Sequence, residues 1–87
     1  MLTKYLITYD LHAPVQNYEP LIKAVKGYGK WAKIGQSSWA VKTEQSAISV
    51  RDNLMQHIDK NDKLFVCAFS EWASWGLSEE VTDWLKK

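Results

Sequence analysis

Lys4-Tyr5-Leu6-Ile7-Thr8-Tyr9-Asp10 is the stretch on which the rest of the chain depends. It is rich in β-branched and aromatic side chains, which pack well on a pleated surface, and it ends on a single carboxylate. It reads as a strand, central in its sheet. A side-chain period of two sends Tyr5, Ile7 and Tyr9 to one face and Leu6, Thr8 and Asp10 to the other. Asp10 then stands at the strand's C-terminal end, opposite the tyrosines. An ionised carboxylate at the tip of an inner strand is costly unless it is solvated, paired or metal-bound, which makes Asp10 the leading functional candidate. The plain alternative is that it opens the following loop, a common use of Asp.

Beyond Asp10, Pro14 ends the strand within a loop from Leu11 to Gln16. Asn17 is placed to cap a helix in which Tyr18, Leu21, Ile22, Val25 and Tyr28 recur at three-and-four spacing, with Lys23 and Lys26 outside. Pro20 fits the first turn, and Gly27 and Gly29 offer positive-φ positions on which the helix can stop. Two strand-like runs, Lys30 to Gly35 and Ser38 to Thr43, are joined through Gln36-Ser37 as a hairpin, and Lys30 and Lys33 suit an edge strand. Ser46 caps a second helix with Ala47, Val50, Leu54 and Ile58 inward and Arg51, Asp52 and Gln56 outward. His57 at its C-terminal end suits the helix dipole better than catalysis. Lys63 to Phe69 is nearly continuous in apolar residues, the mark of a strand inside a sheet.

The order β-α-β-β-α-β predicts an α+β, ferredoxin-like domain over residues 1–70, a four-stranded antiparallel sheet with both helices on one face. Residues 71–87 form a C-terminal extension. In it Trp72 and Trp75 precede Gly76, and Ser78 with Glu79 and Glu80 opens a short helix bearing Val81, Trp84 and Leu85. Helices on one side leave the other sheet face bare, to be covered by this extension or by a second protomer. Trp39, Trp72, Trp75 and Trp84 are packing groups first and base-stacking groups second.

With 46% hydrophobic and 24% charged residues, the chain has the composition of a folded protein. A domain of this size buries only about 60–65% of its unfolded surface, so association with a second copy would help it. Cys67, inside an apolar run, is expected to be a buried thiol of a reducing cytoplasm. No apolar run approaches the roughly 20 residues of a membrane span and the N-terminus lacks a signal pattern, so a cytoplasmic protein without a membrane partner is expected. A net charge of +1 gives no global case for nucleic acid. Residues 20–43, however, carry Lys23, Lys26, Lys30, Lys33 and Lys42 and no acid, whereas acids outnumber bases after them. One edge should therefore be basic, able to track a phosphate backbone, although solvated lysines are the commoner explanation. There is no Cys/His metal cluster, glycine-rich phosphate loop or Ser-His-Asp constellation. Asp10 and His12, two apart, make only a weak hard-metal pair.

Tyr9-Asp10-Leu11 at the strand end, Gly27-Tyr28-Gly29 at the helix exit, and Gln36 with Ser38 in the hairpin resemble the CRISPR-associated "Cas two" family, and above all its SinR-like and virulence-associated-protein-D-like branches. The resemblance covers about residues 3–69. It implies a ferredoxin-like protomer and a homodimer through the open sheet faces, with Asp10 of each copy facing its mate. In catalytic members that aspartate binds a divalent metal, Mg²⁺ or Mn²⁺, for endonucleolytic hydrolysis of RNA or DNA. In others the dimer is a non-catalytic scaffold or protein-binding module that holds DNA between integrase-type partners. The chain departs from the family in having Asn17-Tyr18-Glu19 where arginines are common, and Trp39-Ala40 where Val-Phe is usual.

Overall fold

The computed structural model describes residues 1–12 and 18–87. The roles expected of Pro14 and Asn17 lie outside the described residues. The elements are β1 (Thr3–Asp10), α1 (Glu19–Lys26), β2 (Trp31–Gly35), β3 (Ser38–Thr43), α2 (Ala47–Met55), β4 (Lys63–Ala68) and α3 (Glu79–Lys86). The four strands form one antiparallel sheet in the order β2-β3-β1-β4, the ferredoxin-like arrangement.

β1 is central, and its alternation builds the core. Tyr5, Ile7 and Tyr9 pack with Trp39 and Val41 of β3 beneath Leu21 and Val25 of α1 and Val50 and Leu54 of α2. Burial of the three polar aromatics is compensated. The Tyr5 hydroxyl donates to the Gln45 carbonyl at 2.7 Å, and the Trp39 indole N–H donates to the Tyr9 hydroxyl at 2.9 Å. Ser46 and Ser78 cap α2 and α3 by accepting the N–H of Ser49 and Val81, each satisfying one otherwise unpaired first-turn donor.

Four local expectations need correction. β4 lies at an edge of the sheet, not inside it. A continuous apolar run records two apolar faces, not two strand neighbours: Leu64 and Val66 pack toward the core, while Phe65 on the outer face is 59% exposed. Cys67, two residues on, is half-buried on that same outer face instead of enclosed. Gly27 has right-handed helical geometry, and only Gly29, at φ +84, uses the glycine-favoured region to turn the chain into β2. α2 ends at Met55, so Ile58 reaches the core from the following turn and His57 lies beyond the helix, its backbone N–H donating to the Leu54 carbonyl.

The outer face is covered by the tail on one side only. α3 packs against β2, Leu85 is buried, and the Lys4 and Lys42 ammonium groups donate to the carbonyls of Leu85 at 2.8 Å and Trp84 at 3.0 Å. Trp75 in the connection is 98% exposed.

Removing the Tyr9 hydroxyl strands a buried indole N–H, a loss of about 1–3 kcal/mol. Urea unfolding of Tyr9→Phe should show it, and Tyr9→Phe made on a Trp39→Phe background should cost much less, because the stranded donor is then gone.

Candidate functional site

Asp10 ends β1 as an exposed residue on the outer face, opposite Lys63 of β4 in the antiparallel register. Two shallow concavities meet there, one shared with Thr8, Lys63 and Phe65 and the other with His12, Asn61 and Lys63. Asp10 and His12 are thus neighbours. Ser38 belongs to the same face, its hydroxyl donating to that of Thr8 at 3.3 Å. Gln36 sits exposed in the β2–β3 turn, and Tyr9 points the other way into the core.

The most heavily bonded carboxylate nearby is Asp62, which the sequence did not single out. It accepts the backbone N–H of His12 at 2.7 Å, the backbone N–H of Asp59 at 2.8 Å and the Tyr18 hydroxyl at 3.3 Å. The backbone bond from His12, then that from Asp59, hold its carboxyl below the usual aspartate range; partial burial opposes them. Asp62 therefore ties the start of the β1–α1 connection to the α2–β4 turn. Its only sequence signal was membership of the polar turn Asp59-Lys60-Asn61-Asp62.

A hard divalent ion such as Mg²⁺ takes about six oxygens, of which one or two come from carboxylates and the rest from waters and substrate phosphates. Around Asp10 one chain offers a single free carboxylate with Lys63 beside it, and among the described residues no three His, Cys, Asp or Glu side chains come together. One chain thus brings a single carboxylate to such an ion, with the Lys63 ammonium opposing it.

The five lysines expected to contact phosphate divide between the two faces of the sheet. Lys23 is exposed on α1. Lys26 lies 5.0 Å from the Trp31 ring centroid and 5.9 Å from that of Trp39, and Lys33 lies 5.4 Å from Trp39. Trp31 and Trp39 meet edge to face at 5.6 Å, so this side of β2 is a lysine-flanked aromatic pair. Lys42 and Lys30 belong to the opposite face, where Lys42 sits 4.4 Å over Trp84. Lys4, Lys87, Phe69 and Trp84 gather there too; the sequence marks Trp84 as a base-stacking group second to packing, whereas Lys4, Lys87 and Phe69 are not legible as site residues without the strand register.

No protein-family model matches the chain, and no curated protein matches it. Among the described residues no helix is long and apolar enough to cross a membrane.

Because the Asp62 pKa is lowered in the folded state, its contribution to stability is present above the ordinary aspartate value of about 3.9 and is lost as pH falls through the lower folded value. Thermal melts of wild type and Asp62→Asn should differ near neutral pH and converge in acid.

Proposed function

We propose that the chain works as a Cas-two-like, nucleic-acid-associated homodimer. The observation that carries this reading is the concentration of Lys26, Lys30, Lys33 and Lys42 among aromatic rings at the β2 edge, joined by Lys4 and Lys87. Lysine ammonium groups interleaved with indoles suit a ligand that carries both phosphates and flat bases. Dimerisation is supported by the half of the outer face that the tail leaves open, where Phe65 stands opposite Thr8, the half-buried Cys67 opposite Leu6, and Asp10 at the rim. Apolar surface of this kind on so small a domain favours burial against a second copy.

Metal-dependent phosphodiester hydrolysis is the second reading. What favours it is the position of Asp10, exposed at the rim of that open half-face, where two copies can bring their carboxylates together. Since one chain supplies a single carboxylate, hydrolysis would belong to the dimer. Without it the dimer is a scaffold that holds nucleic acid, alone or for an integrase-type protein.

Light scattering should give the mass of a dimer for the wild type and of a monomer for Phe65→Glu, which puts a charge into the apolar contact. Labelled RNA and DNA should bind wild type and Asp10→Asn alike, because Asp10 lies outside the lysine cluster. Cleavage that is abolished by chelator, by Asp10→Asn and by Phe65→Glu would establish hydrolysis at the paired aspartates. Equal cleavage, or none, with wild type and Asp10→Asn leaves the scaffold.

A further inference from the structure

We propose that the groove crossing the β2 edge holds single-stranded nucleic acid, with phosphates on a row of lysines and bases against Trp84 and Trp31. This rests on the nucleic-acid reading above and names the form of the ligand and the residues that take it.

The row is built by strand register. Lys4 lies directly opposite Lys42, and the Lys42 N–H donates to the Lys30 carbonyl, so three neighbouring strands place Lys30, Lys42 and Lys4 side by side on the outer face. Like charges directly opposed on one sheet face are destabilising. Lys87 adds a fourth. Together with Phe69 and Trp84 they line a cleft of ≈ 630 Å³ that contains no Asp or Glu side chain. The ion pairs of Met1 with Glu44 and of Arg51 with Asp52 involve none of these lysines. Lys4 and Lys42 each give one N–H to a carbonyl of α3, and an ammonium has three to give. Burial, followed by the charges of Lys4, Lys30 and Lys87, pulls the Lys42 pKa below its ordinary value. An anion seated among the four would relieve that repulsion.

The cleft does not stop at the row. A second groove of ≈ 490 Å³ between α3 and the β2 edge shares Lys30 and Trp84 with it and continues past Trp31 and Lys33, with Glu80 on the far wall. The combined track is lined by aromatic rings (Phe69, Trp84, Trp31) together with ammonium groups (Lys4, Lys42, Lys30, Lys33). Trp31 is 36% exposed and meets Trp39 edge to face, with the Lys26 ammonium 5.0 Å from its ring centroid. Bases of a single strand can stack on such platforms, whereas those of a duplex are already stacked on one another and inaccessible. An acidic peptide would satisfy the lysines but leave the rings unused.

The test measures fluorescence anisotropy of labelled oligo(dT), oligo(U), a matched duplex and polyglutamate with wild type, Lys30→Gln and Trp31→Ala, folding being checked by circular dichroism. These exposed edge positions should leave the fold intact. Both single strands should bind more tightly than the duplex. Lys30→Gln should lower the slope of log K against log salt by about 0.7, as expected for one phosphate contact on a single strand. Trp31→Ala should weaken binding about tenfold at fixed salt with the slope unchanged, as for one lost stacking platform. Duplex bound at least as tightly as single strands, or variants that bind like wild type, would overturn the track while leaving nucleic-acid association standing. Polyglutamate bound as tightly as the oligonucleotides would reduce it to general anion attraction. Absence of binding to every nucleic acid would remove both proposals.

Discussion

Two helices can cover only one face of a four-stranded sheet, and the rest of this molecule follows from that constraint. The chain commits α1 and α2 to the face that carries Tyr5, Ile7 and Tyr9, and the opposite face must find cover elsewhere. The tail returns with α3, whose eight residues pack on β2 and touch β3 and β1 through the Lys42 and Lys4 ammonium groups. They are fastened by an arrangement that suits a helix C-terminus. The Leu85 carbonyl accepts from Lys4, the Trp84 carbonyl accepts from Lys42 as well as from the Lys87 backbone N–H, and the positive charge complements the helix dipole. The outer face is thereby split into a covered half lined with lysines and an open half that runs out to Phe65 and Asp10.

The magnitudes separate what the fold needs from what it merely tolerates. A cation at a helix C-terminus contributes about 0.3–1 kcal/mol, and a surface cation–π contact of the Lys42–Trp84 kind about 0.5–1 kcal/mol. Opposed like charges on a sheet face cost a comparable amount. The three effects leave little net stability, so the row can persist in a folded protein without being the reason it folds. Gripping α3 takes two ammonium groups. Lys30 and Lys87 add repulsion to that grip without adding a bond to it, which is why a ligand accounts for them better than the helix does.

Much of the architecture was legible because it is local. The alternation of β1, the three-and-four spacing of α1, and the serine caps of α2 and α3 depend on neighbours a few residues away, and the structure bears them out. What depends on pairing was not. A charge count along the chain saw Lys23 to Lys42 as one strip, whereas the hairpin sends Lys33 and Lys42 to opposite faces and the β1–β3 register recruits Lys4 from the other end of the domain. The exposed position of Phe65 is a similar case, since composition gives the polarity of a strand's faces but not the number of its neighbours. Asp62 escaped notice because two of its three partners, His12 and Tyr18, are remote in sequence.

β1 also sets the relation between the two regions of chemical interest. Lys4 and Asp10 share its outer face but stand six positions apart, about 20 Å at the rise of an extended chain. The lysine track lies at one end of the central strand and the lone carboxylate at the other. A nucleic-acid strand seated on the track therefore does not present its phosphodiester to the Asp10 of the same chain unless it also runs the length of β1 across the open half-face. That half-face is the surface proposed above for a second copy, and a dimer formed there would close the path. On the proposed reading, nucleic-acid association at the β2 edge and hydrolysis at Asp10 would therefore be separable, the first open to each protomer alone and the second to a pair.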